Sequence, residues 1–474
     1  MFIHRIFLHP VANVALATVA FTVVNIPFDA SAADQSPQTE FDATHSSSDL
    51  SAIIDEARKR VDAARSEAKE KPLQLSDALV ALADAQRSAD LDNEAEAAYR
   101  EAIGIVEKET GPANPRQLPP LRGLGLTLAD AGRHQEAVGY LTRAFELSRR
   151  TDGLFNTGQL EILNRLALSE LKLKDRENAK IHMGYYESVG QQAFGKNDVR
   201  MVAIESSVGD WFSASLAYLN ARSYYQKAIA IGKKAAGPND LSLVRPLRQI
   251  AYTYVYELID LSDHSSETIR VRRDSMHLAR TSIQEVGPDP RNLSVDGEKS
   301  LEHAVEILES HPEAREELVA TLLQLGDWHM IKGERNEAMQ VYGRVVELAK
   351  EEPTAAAALA APRRLFCPLP AILISAKRLG DVETSDRFVL IEYNVNEAGA
   401  VDEAHIVETD APPRQANQIL DALRSARFRP RFVNGAPVNA TGLLHREVYK
   451  VRKDNNDDDG DDQTAQNHES SPTR

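Results

Sequence analysis

The stretch Leu121–Ala144 reads LRGLGLTLADAGRHQEAVGYLTRA, and its spacing decides the fold. Leu121, Leu124 and Leu128 recur at intervals of three and four residues, which lines one face of a helix. Gly132 ends that helix. A second helical pattern covers Glu136–Arg149, with Ala137, Leu141, Ala144 and Leu147 on one face. Two short amphipathic helices around a glycine predict an antiparallel hairpin. Small residues at Gly125, Ala137 and Ala144 let the two helices approach closely.

The pattern returns every 42 residues. Gly111, Gly153, Gly195 and Gly237 keep that interval, as do Ala95, Ala137, Ala179 and Ala221. So do Ala102, Ala144, Tyr186 and Ala228. Leu82, Leu124, Leu166 and Val208 keep it too, each followed by a small residue: Ala83, Gly125, Ala167 and Gly209. The glycine after each second helix reads as its cap. One period held at several positions over four copies marks a solenoid of stacked hairpins. These residues resemble the tetratricopeptide repeat, with Leu121 at that family's tryptophan position and Leu128 at its tyrosine position. The long period resembles the kinesin-light-chain variety, as do the turns Gly111-Pro112-Ala113-Asn114-Pro115 and Gly237-Pro238-Asn239-Asp240.

A fifth unit continues at Ile250-Ala251. Its next turn glycine, Gly287, lies 50 residues after Gly237, which places eight inserted residues around Leu261–Thr268. Gly297–Ser310 reads as one more amphipathic helix, and Leu325-Gly326, Gly333, Ala338 and Tyr342 form a last copy. Leu50–Glu70 reads as a capping helix. The array is expected over residues 49–351. The resemblance implies a concave face that binds peptides or helices of other proteins. Gln86, Glu170, Phe212, Tyr218 and Tyr254 are its candidate liners, the aromatic ones having packing between repeats as their alternative role.

Beyond Pro353–Pro362 the period changes, and 352–384 reads as a linker with a short helix. Phe388–Val395 (FVLIEYNV) and Ala400–Val407 predict a hairpin around Asn396-Glu397-Ala398-Gly399. Pro413–Ala426 predicts a helix facing inward through Ile419, Leu420 and Leu423. Phe428–Val433 is extended, Asn434-Gly435 is a tight turn, and Gly442–Val451 is a last strand. The fold class is therefore mainly α: a TPR-like solenoid followed by a small α+β module of order β-β-α-β over 385–453. The module resembles the TonB C-terminal domain in its turn Asn396–Val401, in Ile406–Thr409, in the helix end Ala422–Pro430 and in Asn434–Val438. It departs from that family in lacking the proline-rich stalk and a clear Tyr-Pro motif, Phe366-Cys367-Pro368 being the nearest counterpart. The resemblance implies binding of an extended partner peptide by strand addition at Leu443, Leu444, His445, Arg446, Glu447, Val448 and Tyr449.

The N-terminus predicts export. Met1–Pro10 carries Arg5 and no acid, Val11–Phe28 is apolar, and Ala30-Ser31-Ala32-Ala33 offers a cleavage site. The expectation is a signal over 1–32, a polar linker over 33–48 and a periplasmic location. The alternative is a retained anchor at Val11–Phe28, which would make the chain an inner-membrane energy transducer serving outer-membrane transport. The 474 residues carry a net charge of −16, which disfavours nucleic acid as a partner. Residues 454–474 hold seven of the acids against Arg474 and read as a disordered tail. Cys367 is the single cysteine, so no disulfide forms within the chain. His329 reads as a structural histidine. No nucleophile, metal-ligand or phosphate-loop motif occurs. The expected function is protein–protein interaction, without catalysis, cofactor or metal.

Overall fold

A computed structural model describes residues 47–275, 290–350, 352–368 and 384–452. The expected signal, the tail and Gly287 lie outside the described residues. Helix α1 (Ser47–Ser66) precedes four hairpins. They are α2 (Pro72–Arg87) with α3 (Asp92–Thr110), α4 (Leu118–Asp130) with α5 (His134–Thr151), α6 (Leu160–Lys172) with α7 (Arg176–Phe194), and α8 (Met201–Ala214) with α9 (Tyr218–Ala235).

Two features repeat with the period and set the backbone. Gly111, Gly153, Gly195 and Gly237 all have positive φ, from 84° to 108°, where a side chain would strain the chain. Three residues later, Asn114, Asn156, Asp198 and Asp240 each accept a hydrogen bond from the backbone N–H two residues on, at 2.7–3.0 Å. Each side chain thereby caps the entry to the next hairpin. The large-small pair then explains the close helix approach. A Cβ on Gly125 would lie 2.7 Å from Leu141 Cγ, and one on Gly209 would lie 2.5 Å from the Tyr225 ring.

Within the array, first helices touch the first helices of neighbouring hairpins: α2 meets α4, α4 meets α6, and α6 meets α8. The second helices of neighbouring hairpins stand further apart and meet through long side chains, as Arg143 meets Glu107 and Lys227 meets Glu187. The first helices therefore form the inner, concave layer. Helix α10 (Val244–Ser275) extends this layer and is 32 residues long. The eight inserted residues lie inside it, so the insertion lengthens a helix. Helix α11 (Val295–Glu309) is the expected extra amphipathic helix and packs on α10 and α12. A last hairpin pairs α12 (Arg315–Lys332) with α13 (Arg335–Leu348).

The boundary segment carries helix α14 (Pro353–Leu359) and strand β1 (Arg363–Phe366). The C-terminal module then contains β2 (Thr384–Val395), β3 (Val401–Thr409), helix α15 (Pro413–Arg424), β4 (Arg427–Arg429), β5 (Arg431–Val433), β6 (Ala436–Val438) and β7 (Ala440–Arg452). Its antiparallel sheet has the order β3-β2-β7, with β1–β4 and β5–β6 as separate pairs. The core order β-β-α-β matches the reading of the sequence. The β1–β4 pair is an addition that sequence pattern did not reveal. Ile419, Leu420 and Leu423 of α15 pack on Val389, Ile391 and Val395 of β2. Asn434 and Gly435 both have positive φ, as a tight hairpin turn between β5 and β6 requires.

Candidate interaction surfaces

The concave face can be built from helical geometry. In α4 the side chains that pack into the hairpin include Leu124 and Leu128, four residues apart. The inner face instead takes the half-buried Arg122 and the exposed Asp130, with the buried Leu126 between them at intervals of four. Their equivalents one to three periods on are Asn164, Leu168 and Lys172, then Ser206, Asp210 and Ala214, then Arg248, Tyr252 and Tyr256. Ion pairs tie this face together across neighbouring first helices. Arg165 pairs with Asp130 at 2.8 Å, Arg122 with Glu161 at 3.9 Å, and Arg245 with Asp210 at 2.5 Å. Arg87 joins them: burial pulls its guanidinium down, but Tyr99, Glu161, Asp130 and Asp84 outweigh that and hold it above its ordinary value. Towards the C-terminal end the face turns aromatic, where Tyr252 and Tyr256 stack at 5.9 Å. A groove of alternating charge that ends in an aromatic ledge suits an extended or helical polypeptide with polar side chains.

The five expected liners sit elsewhere. Gln86, Glu170, Phe212 and Tyr254 share one repeat position, the Leu128 position, and so follow the core leucine by four residues. That spacing turns them to packing within and between hairpins, the alternative role of the aromatic ones. Gln86 is buried. Glu170 is buried too, and its Oε2 lies 2.8 Å from His182 Nδ1. Phe212 stacks on Tyr224 at 5.1 Å. Tyr254 meets Trp328 edge-on at 6.4 Å and lies beneath the Arg222 guanidinium at 4.2 Å. Tyr218 is buried at the start of α9. The groove residues were legible as the same 42-residue series read two positions earlier, where polar and charged types stand among leucines.

The second surface is the outer edge of β7. Thr384↔Arg452 through Val395↔Ala440 pair β7 to β2 along nearly its whole length, and among the described residues no strand covers its other side. Its residues alternate. His445 and Tyr449 are buried, with the Tyr449 hydroxyl donating to Gln415 Oε1 at 2.6 Å. Leu444 and Val448 are exposed at 59% and 49%, and Arg446 lies over the Phe388 ring at 4.5 Å. Leu443 and Glu447 are half-buried, and Glu447 Oε2 lies 2.9 Å from His445 Nε2. An unpaired edge with alternate apolar side chains is what an added strand needs: backbone groups for affinity and side-chain pockets for selectivity.

Two other clusters have structural explanations. Glu298, His329 and Glu334 place their ligand atoms within 4.8 Å of one another. The Lys332 ammonium already sits between the two carboxylates, at 2.7 Å from each, and supplies the positive charge. His329 Nδ1 lies 2.8 Å from Glu334, in keeping with a structural histidine. Cys367 lies against the module core, and burial pushes its thiol up to about 11, the opposite of an activated nucleophile.

Fold and surfaces together define the class: a TPR-like helical solenoid with a concave groove, joined to a small α+β module with an open sheet edge. The crystal structure of BtubC (BKLC) from P. vanneervenii is 19% identical, covers 50% of this chain and 96% of its own, and has a TM-score of 0.37. A Podosopora anserina putative kinesin light chain with nearly identical TPR-like repeats is 15% identical, covers 51% of this chain and 99% of its own, and has a TM-score of 0.38. A single-substitution variant of that light chain is 17% identical, covers 43% and 95%, and has a TM-score of 0.36. No family model matches the chain, and no curated protein matches it in sequence.

Proposed function

We propose that this protein is an exported, non-enzymatic scaffold that holds two polypeptide partners, one in the groove and one as a strand added to β7. The observation that carries the second half is the open β7 edge, 13 residues long and paired on one side. The resemblance of 385–453 to the TonB C-terminal domain supports the same reading. Export rests on residues 1–32 of the sequence. No helix among the described residues is long and apolar enough to cross a membrane.

The test is a display selection of random peptides against the full chain, followed by photo-crosslinking. A crosslinker at Arg446 on the edge strand captures the selected peptides, and one at Asp421 on α15 does not. Capture only at Arg122 or Lys172 would confine binding to the groove and remove strand addition. N-terminal sequencing of the purified protein separates the two cellular roles. A start at Ala33 fits the exported scaffold, and a retained Val11–Phe28 in the membrane fraction fits an energy transducer.

A further inference from the structure

Three hairpins hold the same polar centre. A tyrosine of the second helix donates its hydroxyl hydrogen to an aspartate of the first helix fifteen residues earlier: Tyr99 to Asp84 at 2.5 Å, Tyr225 to Asp210 at 2.7 Å, and Tyr342 to Asp327 at 2.7 Å. In two of them the aspartate also receives an arginine from the unit that follows. Arg245 of α10 reaches Asp210 at 2.5 Å. Among the described residues no further hairpin follows Asp327, and its arginine comes from β4. Arg429 donates from Nε to Oδ1 at 2.8 Å and from Nη2 to Oδ2 at 2.6 Å, and its Nη1 donates to the Ala358 carbonyl at 3.1 Å.

We propose that the C-terminal module is the terminal cap of the solenoid, seated on the last hairpin through Arg429 as the next repeat is seated through Arg245. The surroundings of the pair support this. A solenoid's last hairpin presents an apolar face that must be covered. Here Leu365 and Phe366 of β1 join the core cluster of Trp328, Tyr342 and Val345, and Phe432 of β5 packs edge-on against Tyr342 at 5.8 Å. The β2–β3 turn presses on the same hairpin, since a Cβ on Gly399 would lie 2.5 Å from Met330 Cε. Arg429 is 1% exposed, so this contact is an interior. The groove and the β7 edge are then held in one fixed relation, as two sites on one body. This inference stands apart from what either surface binds.

Hydrogen exchange on the full chain tests it. Arg429→Met leaves the partly buried Asp327 with one partner fewer. Protection of α12 and α13 then falls on the order of a hundredfold. Protection of the β2–β7 pairing stays at the wild-type level. Arg245→Met produces the same loosening between α8 and α10. The triple variant Asp327→Leu/Tyr342→Phe/Arg429→Met removes every polar member together and restores most of the protection, because no buried group is left unpaired. Unchanged protection of α12–α13 in Arg429→Met would overturn the proposal. So would a loss in both variants that always includes the β2–β7 sheet, since Arg429 would then serve the module's own fold.

Discussion

Hairpins α4–α5 and α8–α9 lie two periods apart and share one backbone plan, yet their interiors are opposite in polarity. Where the first holds Leu121, Leu126 and Leu141, the second holds Glu205, Asp210 and Tyr225. All six residues are buried. Both hairpins keep the large-small pair, the buried alanines and the positive-φ turn. The repeat geometry therefore depends on a few small positions and on the turns, and the side chains between them are free to vary. What the polar interior adds is directionality. Asp210 reaches out of its hairpin to Arg245, whereas Leu126 makes no comparable claim on the next unit.

The sharpest way to break this comparison is Asp210→Leu. It imports the residue of the first hairpin but leaves the Tyr225 hydroxyl and the Arg245 guanidinium in a buried site without their acceptor. The expected loss is about 3–5 kcal/mol in urea unfolding. Adding Tyr225→Leu and Arg245→Met completes the conversion and recovers most of that loss. A neutral Asp210→Leu would mean that the polar centre contributes nothing.

Next come the small residues. In Gly209→Ala the new Cβ meets the rigid Tyr225 ring, 2.5 Å away. In Gly125→Ala it meets the aliphatic side chain of Leu141 at 2.7 Å. Overpacking costs about 1–3 kcal/mol, less the roughly 1 kcal/mol that alanine returns in helix propensity. Gly209→Ala is expected to lose more than Gly125→Ala, because a leucine can change rotamer and a packed ring cannot. Equal losses would show that the two hairpins are equally deformable.

Much of this was legible in the sequence, because the period carries its own alignment. Small residues and cap glycines signal the hairpins without any tertiary information, and the strand, turn and helix signals of 385–453 do the same for the module. The groove was harder. Its residues are defined by what the first helices do not bury, and Gln86, Glu170, Phe212 and Tyr254 drew attention by type while their spacing from the core leucine turned them inward. The seat of Arg429 on Asp327 could not be read at all. The two residues are 102 positions apart, and an arginine beside Phe428 in a short strand looks like a surface residue until the last hairpin closes over it.

Glu205 sharpens the comparison through pH. It stands where the first hairpin has Leu121. Its Oε1 meets the Lys227 ammonium at 2.8 Å, and its Oε2 has no hydrogen-bond partner. Burial raises its carboxyl above the ordinary value, with Lys227 opposing. The folded chain then holds this proton more readily than the unfolded chain. Its contribution to stability grows as pH falls through the raised folded value and levels off below the unfolded one. Glu205→Gln removes that slope and is neutral to about 1 kcal/mol stabilising at pH 7. Asp210, whose carboxyl is also raised by burial against the pull of Arg245 and Tyr225, keeps the remaining slope. Urea midpoints followed from neutral pH down past the ordinary glutamate value of about 4.3 read the difference. An unchanged slope in Glu205→Gln would place the titration elsewhere.

The smallest effect lies in the turn. Every hairpin turn needs a positive φ at one place, and the first of the two compared hairpins meets it with Gly132 at 75°. The second meets it with Leu216 at 61°, where the side chain is strained and 55% exposed. Lys174 and Asp90 carry the same conformation in their hairpins. Leu216→Gly relieves roughly 1–2 kcal/mol of left-handed strain. It gives back about 0.5–1 kcal/mol through the freer unfolded glycine. The net expectation is a gain of about 0.5 kcal/mol. The mirror substitution, Gly132→Ala, loses a comparable amount or more. If Leu216→Gly instead destabilises the chain, the half-covered part of the leucine is packing against α8 or α9. The turns of the two hairpins would then differ in more than the residue that fills them.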